Sequence, residues 1–140
     1  MGEADQGGMM RDYQRQTGKY ILPGPVYHQV IWQIRDYYRL KDMAEAIIDE
    51  SGGMGDGMPH GSPSPDGVFN KATRRMEYTR ITDIIDTELA KIPKEYQRGV
   101  WNNIQYSTAF PMDAGRTTYS NYKSRFIYQI AVRLGLYEDL

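Results

Sequence analysis

Apolar residues recur at steps of three and four along most of the chain, which is the spacing of one helix face. The first such stripe begins after the segment LPGP, whose prolines suit a helix start. It contains Tyr27, Val30, Ile31, Ile34, Tyr38, Ala44, Ile47 and Ile48. The pattern predicts one amphipathic helix over about 25–50, within an N-terminal helical segment of residues 20–50.

Two stretches break this periodicity. Residues 1–19 are Gly-rich and polar without a period, which predicts a flexible N-terminus. Residues 51–67, SGGMGDGMPHGSPSPDG, contain six Gly and three Pro, which predicts a linker. A structureless connection of this length is uncommon inside one small domain, so we expect two helical parts on either side of it.

Three further helices are expected in a helical domain of residues 68–140. A long stripe spans about 68–92, a third helix starts at Pro93, and a last helix covers about 117–134 and ends at Gly135. The long stripe contains Phe69, Ala72, Met76, Ile81, Ile84, Ile85, Leu89 and Ile92. The segment FPMDAG between the last two helices is predicted to be a short turn or a one-turn helix. Strand signals are weak, so the fold class is mainly α: N-terminal helix, Gly/Pro-rich linker, long helix, then a C-terminal helix pair at about 93–136.

The last helix separates into two faces. Tyr119, Tyr122, Phe126, Ile130 and Leu134 recur at helix spacing and form the expected buried stripe. The outer side of the first turns is polar and basic. It carries Arg116, Thr117, Thr118, Ser120, Asn121, Lys123, Ser124 and Arg125.

The formal net charge of the 140 residues is −1, which argues against a protein that coats nucleic acid through bulk charge. The charge is nevertheless uneven: residues 114–137 contain four cations and no Asp or Glu. A helix that follows a turn and another helix, with Asn, Arg and Thr on its first turns, meets the requirements of a helix-turn-helix. Asn can pair with adenine, Arg with guanine, and other cations and hydroxyls with phosphates. A solvated polar surface explains the same pattern, and periodicity leaves both interpretations open.

The segment KIPKEYQRGVWNNIQYSTAFPMDAGRTTYSNYKSRFIYQIAVRLGL resembles the C-terminal helix-turn-helix of the RinA/ArpU-like phage and prophage transcriptional regulators, which is similar to region 4 of sigma factors. The resemblance extends over about residues 20–136, because the helix with VIWQIRDYYRLKDMAEAII, the linker and the helix near NKATRRMEY occur in the same order. The family's DNA-facing helix corresponds to Thr118, Lys123, Phe126, Ile127, Ile130, Ala131 and Leu134. Of these, Thr118 and Lys123 are expected to face DNA. FPMDAG is shorter and more proline-disrupted than the family's scaffold helix.

This resemblance implies a sequence-specific, double-stranded-DNA-binding activator of phage late genes, such as those for packaging and morphogenesis. It also implies promoter or operator binding, recruitment of the host RNA polymerase, and action in the cytoplasm of a bacterial host cell. Nothing in the residue spacing distinguishes an activator from a repressor.

Two other classes of function remain as alternatives. A small terminase-like DNA-packaging or assembly protein would also be helical and oligomeric, although such proteins usually carry the motif at the N-terminus. A helical protein-interaction module is the other alternative, because aromatic residues are enriched at interfaces. The aromatic N-terminal helix, with Tyr27, Trp32, Tyr37 and Tyr38, would then support a homo-oligomer.

Catalysis, cofactors and metals are not expected. The chain has no Cys and two His, and GGMGDGMPHG lacks the order of a phosphate-binding loop. Asp83, Asp86 and Glu88 are explained more simply by a charged helix face than by an acid pair. No stretch is long and apolar enough for a membrane span or a signal peptide, so no membrane partner is expected.

Overall fold

A computed structural model describes residues 13–52 and 65–139, with side chains described for 13–48 and 70–139. All regular structure in this part of the chain is helical, which confirms the mainly α fold class. The helices are α1 (Gly24–Arg35), α2 (Tyr37–Gly52), α3 (Pro65–Ala90), α4 (Lys94–Tyr106) and α5 (Arg116–Arg133). Part of the predicted flexible N-terminus and most of the predicted linker fall on residues 1–12 and 53–64, outside the described residues.

The single helix predicted over 25–50 is wrong, because the chain breaks at Asp36 into α1 and α2. The last turn of α1 is capped by α4 rather than continued. Gln105 donates its side-chain amide to the carbonyl of Ile34, and the Nε of Arg35 donates to the carbonyl of Ile104 at 2.9 Å. Carbonyls at a helix end need such partners, so tertiary contacts end α1 where the apolar period alone would extend it.

The chain divides into two compact units, Met1–Arg35 with Ile84–Leu140 and Asp36–Asp83. This division differs from the predicted boundaries, which separated residues 20–50 from a domain of residues 68–140. The reason lies in α1, which packs against both α4 and α5. Its buried residues are Tyr27, Val30, Ile31 and Ile34.

The core of the first unit is formed where α1, α4, α5 and the end of α3 meet. Its largest fully buried side chains are Tyr119, Ile31, Ile34, Ile85, Ile104, Ile127, Ile130, Val30 and Val100. Helix α5 ends as predicted at Gly135, whose φ of +78° lies in the left-handed region that favours glycine. The amide of Leu136 then donates to the carbonyl of Ala131 at 2.9 Å, the bond that closes a Schellman cap.

The second unit contains α2 and the beginning of α3. It buries Ile47 and Ile81, as their positions in the apolar stripes predicted, and also Leu40, which was not in the predicted stripe. Tyr38 and Ile48 were predicted in the stripe but are 50% and 44% exposed. Three described members of the predicted α3 stripe are not buried: Ala72 is exposed, Met76 is 69% exposed, and Leu89, which lies in the first unit, is partly exposed. Every side chain from Asn70 to Glu77 is exposed, so this part of α3 takes little support from packing.

Candidate nucleic-acid interface

A groove with a volume of ≈ 690 Å³ lies along the first turns of α5. Helix α5 forms one wall, and the connector, which we define as residues 107–115, forms another. The third side is the N-terminal arm, defined as residues 13–22. The lining residues are Tyr13, Arg15, Asn103, Ala109, Phe110, Pro111, Met112, Ala114, Arg116, Ser120, Lys123 and Ser124.

The eight residues predicted to contact DNA do not form one continuous surface. Arg116, Ser120, Lys123 and Ser124 line the groove, whereas Thr117, Thr118, Asn121 and Arg125 do not. Residues three and four apart share a helix side, so the two sets form neighbouring rows. Arg125 lines a separate small cleft with Glu88 and Lys91, beside the end of α3. The predicted single outer face is therefore divided.

The connector is longer than the sequence indicated. Its nine residues, 107–115, contain no helix, whereas a helix-turn-helix usually joins its helices through three or four residues. Ser107 takes a left-handed conformation, with φ of 57°, and ends α4. Met112 near the middle of the connector is 99% exposed. The short turn predicted for FPMDAG is one part of this larger loop, which widens the space beside α5.

The N-terminal arm is held against the first unit by the buried Gln14. Its side-chain amide donates to the carbonyl of Leu22 at 2.8 Å, and its side-chain oxygen accepts the Leu22 amide at 2.7 Å. Neighbouring side chains of an extended segment point to opposite sides. Because Gln14 points inward, Tyr13 and Arg15 reach the groove. The flexibility of residues 1–19 stays a prediction.

Arg15 connects the arm directly to α5. Its Nη2 donates to the Oδ1 of Asn121, 106 positions away in the sequence. Its Nε is buried and has no hydrogen-bond partner among the described residues. Asn121, predicted to read a base, therefore already has an intramolecular partner.

Lys123 is positioned by a short series of hydrogen bonds at the base of the groove. Its Nζ donates to the Oδ1 of Asn103 at 2.7 Å, and the Nδ2 of Asn103 donates to the carbonyl of Thr108 at 2.8 Å. Asn103 is 6% exposed. A buried amide with both ends bonded holds its orientation, so α4, the connector and the cation of α5 are fixed relative to each other.

An aromatic cluster supports α5 behind the groove. The fully buried Tyr119 ring stacks on Phe110 with centroids 5.2 Å apart and meets Tyr96 edge to face at 5.3 Å. The Tyr119 hydroxyl donates to the Oδ1 of Asp113 at 2.7 Å. This hydrogen bond, together with burial, raises the pKa of Tyr119 to about 12. The prediction that Tyr119 is a core aromatic is confirmed.

One predicted surface acid is buried. Glu88 is 3% exposed and accepts hydrogen bonds from Lys91 at 2.9 Å and from Arg133 at 3.1 Å. The charged-face interpretation holds for Asp83 and Asp86, which are exposed, and is wrong for Glu88. The spacing contained the signal, because Glu88 lies three and four residues after Ile85 and Ile84, on the buried stripe. Glu88 joins the end of α3 to α5.

The spacing of apolar and polar residues did not indicate the groove residues outside α5. Asn103, Phe110 and Met112 are close to α5 in sequence, but the path of a nine-residue loop has no periodic signal. Tyr13 and Arg15 come from the opposite end of the chain. The short sequence Tyr13-Gln14-Arg15 has no period that indicates its conformation or its place.

The described residues contain no group of three or more His, Asp or Glu side chains that could hold a metal ion. Nor does any described helix combine the length and apolar character needed to cross a membrane.

Comparison of the chain with protein-family models, curated proteins and solved structures gave no match.

Proposed function

We propose that this chain is a sequence-specific DNA-binding transcriptional regulator that uses the first turns of α5 to contact duplex DNA. The observation that carries the proposal is the composition of the groove wall. Arg15, Arg116 and Lys123 line it together, and the described lining residues include no Asp or Glu. Converging cations next to hydroxyl and amide groups suit a phosphate backbone, because phosphate contacts supply most of the affinity of such proteins.

The polar groups beside the cations offer a means of reading bases. Ser120 and Ser124 line the groove, and Thr117 and Asn121 occupy the neighbouring row, where Thr117 and Asn121 are exposed. Asn and Thr side chains distinguish base pairs in the major groove by hydrogen bonds and methyl contact. In this proposal the groove row fixes the register on the backbone and the outer row supplies the specificity.

The resemblance to the RinA/ArpU-like regulators supports the regulatory part of the proposal. It suggests activation of phage late genes with contact to the host RNA polymerase, in the cytoplasm of a bacterial host. The nine-residue connector departs from a standard helix-turn-helix. We therefore place the DNA contact on α5 and the connector together, rather than on a compact helix pair.

A mobility-shift assay with fragments of the native genome, followed by footprinting, tests this function. We expect one discrete protected site, weaker binding to all fragments in Arg116→Ala, and loss of site preference in Asn121→Ala. Arg98→Ala is the matched control, since Arg98 is an exposed cation on α4 outside the groove lining. Circular dichroism shows whether each variant keeps its helices.

The absence of any shift with the wild-type chain would contradict DNA binding. Equal shifts for all fragments, unchanged in Asn121→Ala, would contradict sequence-specific reading. A loss in Arg98→Ala as large as that in Arg116→Ala would show that the groove is not the contact.

A further inference from the structure

We propose that the N-terminal arm is itself part of the DNA-binding site, with Arg15 as a phosphate-binding residue that exchanges Asn121 for a backbone phosphate. This inference rests on the proposed function and adds to it a second segment of the chain. It assigns the arm a direct role in binding, which no feature of the sequence indicated.

The first support is the position of the arm. Tyr13 and Arg15 line the same groove as Arg116 and Lys123, and the inward-facing Gln14 holds them there through two hydrogen bonds to Leu22. Arg15 therefore lines the groove together with cations of α5. Three cations that line one groove repel one another, and a polyanion between them relieves that repulsion.

The second support is the bonding state of Arg15. One nitrogen is used by Asn121 in an exposed contact, and the Nε is buried without a partner among the described residues. A neutral acceptor such as an amide oxygen is a weaker partner for a guanidinium than a phosphate, which accepts two parallel N–H bonds. Transfer of Arg15 from Asn121 to a phosphate would use both its Nη2 and its Nε as donors.

The third support is that this exchange couples binding to base reading. While Arg15 holds the Oδ1 of Asn121, that oxygen has a competing donor within the chain. Adenine recognition by Asn needs both the oxygen and the nitrogen of the amide. Phosphate capture by Arg15 would therefore release the Asn121 side chain at the moment the protein meets DNA.

The occupant we assign is the phosphate backbone of duplex DNA, rather than an acidic protein segment. The exposed ring of Tyr13, the ring of Phe110 and the hydroxyls of Ser120 and Ser124 accompany the cations in the groove lining. Serine and tyrosine hydroxyls donate hydrogen bonds to the phosphate and sugar oxygens of DNA.

The test is the salt dependence of binding to a fluorescently labelled duplex of scrambled sequence, followed by anisotropy. The slope of log K against log salt is negative, and each phosphate contact that is lost reduces its magnitude by about 0.9. We expect Arg15→Ala to reduce the magnitude of the slope by about this amount and Arg15→Lys to keep the wild-type slope. Lys19→Ala removes the same charge from an exposed position of the same arm, outside the groove lining, and should leave the slope unchanged. Asn121→Ala should bind this duplex as tightly as the wild type or more tightly.

Several outcomes would overturn the inference. If the wild type binds and Arg116→Ala reduces the magnitude of the slope but Arg15→Ala does not, the arm is structural and the proposed function stands. If Arg15→Ala weakens binding equally at every salt concentration with the slope unchanged, Arg15 only supports α5. If poly-L-glutamate displaces the duplex at equal charge concentration, the groove binds acidic protein. If the wild type does not bind any duplex, the proposed function fails as well.

Discussion

At the scale of single residues, burial changes the meaning of several side chains whose types were read from the sequence. Glu88 and Asn103 are polar but lie in the interior, where each makes at least two hydrogen bonds. Tyr119 is buried at the contact between α5 and the connector, and its hydroxyl donates a hydrogen bond to Asp113. The hydrogen bonds and the burial of these three side chains thus depend on their partners more than on their residue type.

The hydrogen bond between Tyr119 and Asp113 predicts a stability loss at alkaline pH. The pKa of Tyr119 is raised to about 12 in the folded protein, against about 10 in an unfolded chain. The stabilisation linked to this shift is fully present below pH 10 and is lost as the pH rises through 12. We expect the difference in unfolding free energy between wild type and Tyr119→Phe, measured in urea, to shrink over this range.

The comparison with Tyr119→Phe removes the contribution of the other tyrosines, which are the same in both proteins. Tyr106→Phe, at a position 64% exposed, is the control and should show a constant difference from the wild type. A difference that stays constant for Tyr119→Phe across this pH range would contradict the assigned hydrogen bond.

At the scale of elements, the crossing of α4 and α5 requires a glycine. A Cβ added to Gly99 would lie 2.5 Å from the Cε1 of Tyr119 and 2.9 Å from the Cδ of Pro111. Both neighbours are rings, so neither can give way by a simple rotation. The two helices and the connector can approach this closely because position 99 has no side chain.

Gly99→Ala should therefore destabilise the protein despite the better helix propensity of Ala. Overpacking costs about 1–3 kcal/mol, and the gain in propensity is at most about 1 kcal/mol. We expect a net loss of about 1–2 kcal/mol in the free energy of unfolding measured in urea. Gly24→Ala is the control, because a Cβ there meets no atom within 4 Å. Equal or greater stability of Gly99→Ala would show that the crossing is looser than described.

The elements also show how far the sequence predicted the fold. Helices α4 and α5 begin and end within about two residues of the segments predicted for them, PKEYQRGVWNNIQYST and residues 117–134, since Pro93, Gly135 and the apolar stripes are local signals. The break at Asp36 was not predicted, because α1 and α2 share one continuous apolar period. The capping partners of α1 are on α4, about 70 residues later.

At the scale of the whole molecule, the two units differ in how their helices are supported. The first unit buries α1, α4 and α5 against one another, whereas the α3 residues from Asn70 to Glu77 expose every side chain. Helices without packing open easily, because most helix stability in proteins comes from a buried face.

Native-state hydrogen exchange should reveal this difference. We expect slow exchange for the amides of Val30, Val100 and Ile130, which open only when the first unit unfolds. We expect amides from Asn70 to Glu77 to exchange orders of magnitude faster, through local opening. Equal protection of the two sets would show that this part of α3 is covered in solution.

The charge of the whole chain shows why the candidate interface could be predicted only in part. The acid-free segment 114–137 identified Arg116 and Lys123, since both lie near each other in sequence. Arg15 was not identified, because its place beside Asn121 depends on the path of the arm. With a net charge of −1, attraction of a polyanion depends on this local convergence.

Local sequence decides that the fold is mainly α, where α4 and α5 lie, and that Tyr119, Phe126 and Ile130 face inward. These properties depend on spacings of three and four residues and on caps within one turn. The tertiary structure alone decides that α1 joins the first unit, that Arg133 of α5 reaches Glu88, and that Arg15 reaches Asn121. Each of these depends on contacts between segments far apart in the chain, and no local period encodes which distant surface will cover a given face.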